Sequence, residues 1–303
     1  MEREYNDFKA QIKERLAEAF PEAEITTCET AKGEGISIKM PGNALAPTLY
    51  PRSAFDDSMG RGASMEETIS AIVENAKAAF ERVENVSEDE ITDFTMDYEK
   101  IKKHLSIDLR SRTLTSQIDT FASVPFMGEY VICFRVDVSD LLGGKDKASF
   151  MVRKSHLEMW GVDIDTLKED AFNNTANAQP AALPVSLESV VSGLLPDDMD
   201  MGKALPPSFS IATNETRSYG ASVILYPGYA RKFEEENGPF YVIPSSIHET
   251  LLIPENISKD MGTTPHDLAR MARDVNASSV ATHEQLGNTI LYYRKGKFSV
   301  AAA

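Results

Sequence analysis

The chain has 303 residues, 42% hydrophobic and 26% charged, enough for one large or two medium domains with an apolar core. Its 31 basic and 47 acidic side chains leave a net charge of −16 and a pI near 4.8, which disfavours nucleic acid and anionic membrane surfaces as partners. The two cysteines, Cys28 and Cys133, form neither a CxxC nor a zinc spacing, so they read as buried free thiols suited to a reducing cytoplasm.

The opening MEREYNDFKAQIKERLAEAF lacks the apolar stretch of a signal peptide, and Tyr5, Phe8, Ile12, Leu16 and Phe20 fall on one stripe of an amphipathic helix. GISIKM and APTLYP read as strands, with turns at Gly33-Glu34-Gly35 and Pro41-Gly42-Asn43. A long amphipathic helix over 64–83 and a second helical stretch over 88–118 follow. EYVICFRVDVSD and KASFMVRK read as two strands joined through Leu141-Leu142-Gly143-Gly144, and a helix spans 164–175. SFSIATN and GASVILY are strand-like, followed by FYVIP, TLLIP, a helix near 265–275 and a last strand, TILYYRK. The longest purely aliphatic or aromatic runs are about five residues, against roughly 20 for a membrane span.

One arrangement recurs: a β-like run, an irregular stretch, a glycine, then two residues on a helix cap. It occurs at Gly62 with Ser64 and Glu67, at Gly161 with Asp163, and at Gly262 with Thr264 and Pro265. The second and third copies agree across an offset of 101 residues: Val152 with Ile253, Gly161 with Gly262, Leu167 with Leu268, Ala171 with Ala272. Asn174 and Asn276 stand where a helix C-cap is expected. The pattern predicts an α+β fold with mixed or antiparallel sheets and recurring strand–loop–helix units. Pro180, Pro184, Pro196, Pro206 and Pro207 mark 176–207 as the boundary between an N-terminal lobe, 1–180, and a C-terminal lobe, 181–303; SLESVVSGLL within it reads as one short helix.

The densest chemistry is in FYVIPSSIHETLLIPE, which carries Ser245, Ser246, His248 and Glu249. Ser246 to Glu249 has capping-box spacing, so the stretch reads as a tight helical turn between two strands, with Pro244 ending the first. The competing reading is a hydrolase in which Ser245 or Ser246 is the nucleophile, His248 the base and Glu249 its orienter. Consecutive side chains diverge, and no G-x-S-x-G elbow presents a serine, so no catalytic residue is assigned. His248-Glu249, His266-Asp267 and His283-Glu284 lack the i,i+3 or i,i+4 partner of a metal motif, so no metal or cofactor is expected. The basic cluster Lys100, Lys102, Lys103, His104, Arg110 and Arg112 follows an acidic run and reads as a solvated helix face of paired charges. Gly143-Gly144-Lys145 lacks the rest of a P-loop, and Trp160 reads as core.

APTLYP, Tyr98–Lys102, SHLEMWGV at 155–162, Asn173-Asn174-Thr175, GASVILY at 220–226 and above all YVIPSSIHE resemble, in this order, a family of bacterial proteins known as domain of unknown function number 5688. A more distant likeness is to the YtpQ-like proteins. The resemblance implies a cytoplasmic α+β protein and carries no catalytic residue, cofactor or ligand. The expectation is therefore an acidic binding or interaction protein for another protein or a small molecule, with self-assembly left open; the alternative is the hydrolase at 245–249.

Overall fold

The structure, a computed structural model, describes residues 2–30, 33–41, 46–61, 64–83, 88–142, 148–186 and 209–303. Its contacts divide the chain into two compact units, residues 1–101 with 137–150 and residues 102–136 with 151–303. The expected boundary at 176–207 falls inside the second unit's range, and 187–208, including most of SLESVVSGLL, lie outside the described residues. All sheets are antiparallel, and with the helices they make an α+β fold.

The first unit begins with α1 (Glu2–Ala19), β1 (Glu24–Thr30), β2 (Gly33–Lys39) and β3 (Thr48–Leu49), followed by α2 (Pro51–Arg61), α3 (Met65–Val83), α4 (Glu88–Met96) and α5 (Tyr98–Ile101). The strands pair in the order β1-β2-β3, with Ile25 opposite Ile38 and Ile36 opposite Leu49. The α1 stripe does what its spacing dictates. Tyr5, Phe8, Ile12 and Leu16 are buried against Ile36, Ile38, Phe55 and Ile69, and the Phe20 ring lies 4.7 Å from that of Phe80. Each such large side chain taken from water contributes about 1.5–3 kcal/mol. APTLYP, expected as a full strand, is a strand only at Thr48 and Leu49. Pro51 opens α2 instead, where its fixed φ suits a first helical position. Cys28 is partly exposed rather than buried.

The second unit holds β4 (Leu105–Ser111), β5 (Ser123–Met127) and most of β6 (Tyr130–Asp137) in the order β4-β6-β5. Residues 88–118 are therefore not one helical stretch: helix ends by 104, and LSIDLRS is a strand buried on both faces. Its two-residue alternation puts Leu105, Ile107 and Leu109 on one face and Ser106, Asp108 and Arg110 on the other. Of the charges that suggested helical pairs, Arg110 instead bonds Asp108 two residues back on the same strand. Further along come β7 (Ser149–Met151), α6 (Lys154–Trp160), α7 (Ile164–Ala178), β8 (Val185–Ser186), β9 (Ser210–Ala212), a 3-10 helix (Gly220–Leu225) and α8 (Tyr229–Asn237). GASVILY is thus helical, not strand-like; Gly220 to Ile224 are buried throughout. The chain closes with β10 (Phe240–Ser246), β11 (Glu249–Pro254), α9 (Glu255–Asp260), α10 (Pro265–Ser279), β12 (Ile290–Arg294) and β13 (Lys297–Ala302).

These form a six-stranded sheet, β13-β12-β10-β11-β9-β8. Strand parity sorts its two faces. Phe240, Val242, Leu252, Leu291 and Tyr293 pack with Leu109 and Tyr130, while Ile243, Ile253 and Ile290 pack with Leu268, Ala269 and Ala272 of α10.

The short helix, glycine and capped helix occur twice in matching geometry. Gly161 and Gly262 both stand in the left-handed region, at φ 66° and 65°. The Asp163 carboxylate accepts the Thr166 N–H at 2.8 Å, and Thr264 and Asp267 form a reciprocal capping box with Pro265 at the first helical position. Helices α7 and α10 each have 15 residues. Ser64 immediately precedes α3, as expected, and Gly62 lies outside the described residues. Asn174 and Asn276 are not C-caps. Both sit inside their helices, where Asn174 Nδ2 donates to the Lys102 carbonyl and Asn276 Nδ2 to that of Gly287 at 3.0 Å.

Candidate functional site

Strands β10 and β11 are joined by a two-residue turn, Ile247-His248, with Ser246 opposite Glu249 and a register shift between Pro244 and Ser246. Pro244 stays in the strand beside this irregularity, a position where a missing N–H is tolerated. The expected capping box does not form. Ser246 Oγ accepts the N–H of His248 at 3.1 Å, and Glu249 Oε1 accepts the hydroxyl of Ser245 at 3.4 Å. A β-hairpin needs its tip amides satisfied rather than a helix start, so the hydroxyl serves the residue two ahead instead of three.

The turn is anchored by main chain on three sides. Ile247 is buried, its N–H donates to the Glu284 carbonyl at 2.8 Å, and its carbonyl accepts the Ala221 N–H at 3.2 Å. The Thr213 hydroxyl donates to the His248 carbonyl at 2.8 Å. Gly220 is wedged here: a Cβ would stand 2.3 Å from Thr213 Oγ1, 2.6 Å from the Asn214 nitrogen and 2.7 Å from the His248 carbonyl oxygen. Asn214 holds the preceding loop, its Oδ1 accepting the Ser218 N–H at 3.1 Å and its Nδ2 donating to the Ser218 carbonyl at 2.8 Å.

The His248 ring is held from two directions. Its Nδ1 accepts the main-chain N–H of Tyr219 at 3.1 Å, and its Nε2 lies 3.5 Å from Glu284 Oε1, an oxygen that His283 Nε2 also approaches at 3.8 Å. The side chains of His248, His283 and Glu284 are 31%, 26% and 40% exposed, so this is a surface patch and not a cavity. The Ser245 and Ser246 hydroxyls bond Glu249 and the His248 N–H rather than the His248 ring, and among the described residues no group of three or more His, Cys, Asp or Glu side chains could hold a metal ion. Of the other histidines, His156 accepts the Arg153 N–H at 3.2 Å as part of the α6 start, and His266 lies in the first turn of α10.

Behind Tyr219 lies a group that sequence reading missed. Asp108 is fully buried, and its Oδ2 accepts from Arg110 Nε at 3.0 Å, Arg110 Nη2 at 2.9 Å and Arg135 Nη2 at 2.5 Å. Burial alone would push the Asp108 carboxyl up; the Arg110 and Arg135 guanidiniums outweigh it and hold it below the usual carboxylate range. The Arg135 guanidinium lies 3.5 Å from the centre of the Tyr219 ring, and that of Arg110 at 5.6 Å. Cys133, opposite Asp108 in the ladder, has its thiol pushed up to about 12 by burial and then by the Asp108 charge, which leaves it a poor nucleophile. Arg110 therefore belongs to the interior rather than to a basic surface cluster, while Lys100 pairs with Asp93 on the helical part. The available signal was Arg135 in the apolar run VICFRV and the Asp-x-Arg spacing in LSIDLRS, both marks of charges sharing one strand face.

The arrangement can orient a partly exposed aromatic, an imidazole and a carboxylate on a rigid support. It does not line up a nucleophile and base. The class is thus an α+β protein of antiparallel sheets with a partly exposed polar patch at one hairpin tip. The model of a family of unknown function, DUF5688, matches residues 5–295, and the chain belongs to that family. No curated protein and no solved structure matches the chain, so the likeness to the YtpQ-like proteins finds no support.

Proposed function

We propose that the protein is a non-catalytic, acidic binding protein of the cytoplasm, with the 245–249 turn and its neighbours Tyr219, His283 and Glu284 as a recognition surface. One observation carries this reading. The reactive groups at the turn are bound to main chain: Ser246 Oγ to the His248 N–H and His248 Nδ1 to the Tyr219 N–H. Groups used this way stiffen a surface, and preorganised surfaces bind with less ordering cost. The charge of −16 directs the choice of partner toward cationic proteins or small molecules. The matched segments around α6–α7 and α9–α10, both in the second unit, fit a duplicated scaffold unit. Among the described residues no helix is long and apolar enough to cross a membrane.

Affinity capture from lysate at low and high salt, together with native mass determination, tests the proposal. A salt-sensitive partner or a defined assembly supports it; a lone monomer with no partner counts against it. The competing hydrolase reading rests on the 3.4 Å contact between Ser245 Oγ and Glu249 Oε1. A broad hydrolase screen on the wild type and His248→Ala separates the two. Activity lost in the variant favours the hydrolase, and equal or absent activity removes it.

A further inference from the structure

Tyr219 is a bulky residue in the left-handed region, at φ 55° and ψ 27°, a conformation that persists only where its surroundings impose it. One of the groups that hold it there is the buried ion cluster. Asp108 Oδ2 grips Arg135 at 2.5 Å, and Arg135 Nη2 also lies 3.4 Å from Met151 Sδ. The planar guanidinium so held lies 3.5 Å from the Tyr219 ring centre. Held in that conformation, Tyr219 donates its main-chain N–H to His248 Nδ1 at 3.1 Å.

A neutral imidazole has one N–H and one lone pair, on different nitrogens. A nitrogen that accepts an N–H cannot carry the proton. We infer that Asp108 and Arg135 are positioning residues which, through Tyr219, lock His248 as its Nε2–H tautomer, so that the turn presents an N–H donor toward Glu284 and no imidazole lone pair. The ligand chemistry that follows is a hydrogen-bond acceptor, a carbonyl or carboxylate group, placed where Glu284 Oε1 stands 3.5 Å away. A metal ion at Nε2, or a substrate proton to be removed there, is incompatible with this state. The inference deepens the recognition-surface reading and rests on it for its meaning, but it is read out by the state of one ring.

Long-range proton–nitrogen spectra of the full chain, labelled at histidine and recorded at about pH 8, above the usual histidine range, report the tautomer directly. His248→Asn assigns the signal. The wild type is expected to show His248 with a protonated Nε2 and a bare Nδ1. Arg135→Lys keeps the charge beside Asp108 but loses the planar stack, and it is expected to give an averaged tautomer. Ile12→Val, a core change in the first unit, is expected to leave the pattern alone. Where Arg135→Lys fails to fold, Tyr219→Leu replaces it, with the same averaged pattern expected. Hydrogen exchange of the Tyr219 amide adds a second readout. It should rise about tenfold in His248→Leu, the loss of one hydrogen bond, and stay near wild type in His248→Asn, whose Oδ1 can take the place of Nδ1. A protonated Nδ1 in the wild type, or a tautomer untouched by Arg135→Lys or its Tyr219→Leu substitute, overturns the inference. Failed partner capture leaves all these signals in place, so the two readings fail separately.

Discussion

Two polar groups of the second unit concentrate reactive residue types and use them in opposite ways. Around Asp108 the bonds run from side chain to side chain, in a buried site. At 245–249 they run mostly from side chain to main chain, in a partly exposed turn. Density of chemical types along the sequence marks the second group and is nearly silent about the first, whose members are drawn from two strands. The difference teaches that nearness in sequence measures local backbone need, whereas nearness across a ladder measures what the fold has brought together.

The comparison breaks most sharply at Asp108. Asp108→Ala strands two buried guanidiniums, so unfolding in urea should show a loss of about 3–5 kcal/mol. A loss below about 1 kcal/mol would place this group on a par with the surface turn. Glu129 stands between the extremes. Its Oε1 accepts from the Asn288 N–H at 3.0 Å, the Thr289 N–H at 3.0 Å and the Thr289 hydroxyl at 2.8 Å, and its Oε2 from Thr113 at 3.1 Å and Ser111 at 3.3 Å. Burial would raise its carboxyl, but these donors hold it below its ordinary 4.5. Below that value the unfolded chain binds the proton more readily than the native one. Stability from this group is therefore complete above pH 4.5 and is lost as pH falls through the lower native value. Glu129→Ala should cost about 2–3 kcal/mol at neutral pH and flatten acid unfolding curves over that window.

Thr264→Ala and Asp163→Ala test the matched helix starts. Each removes a cap and should lower stability in thermal or urea unfolding, Thr264→Ala by about 1 kcal/mol, with Asp163→Ala moving the same way if the two segments are equivalent. Unequal losses would show that only one helix depends on its cap. The smallest effect is expected at the turn. Ser246→Ala removes one hydrogen bond to the His248 amide rather than a helix cap, and should cost about 0.5 kcal/mol in the same measurement. A loss as large as that of Glu129→Ala would mean that the turn is held as an interior site is.

Much of the fold was legible because its cause is local. The α1 stripe, the caps at Asp163 and Thr264 with Pro265, and the pair FYVIP–TLLIP each follow from periodicity or from an amide needing a partner. What misled was also local. The charges of 100–112 mimic helical pairs, yet from Leu105 onward the two-residue alternation prevails because both faces of β4 are buried. GASVIL has β-forming residues but is a 3-10 helix, because Gly220 must pass against Thr213, Asn214 and His248 where no other residue fits.

By itself, the sequence determined the fold class, the starts of α3, α7 and α10 and the place of the turn between FYVIP and TLLIP, since each depends on neighbours within a few residues that burial or free amides compel. Only the tertiary structure decided that Asp108 meets Arg135, that Tyr219 reaches His248, and that Ser246 serves a hairpin tip instead of a helix. Those pairings join residues 27, 29 and 2 positions apart, respectively. The first two are selected by the register of β4 against β6 and by the close passage of the chain at Gly220, and the third by the short connection between β10 and β11.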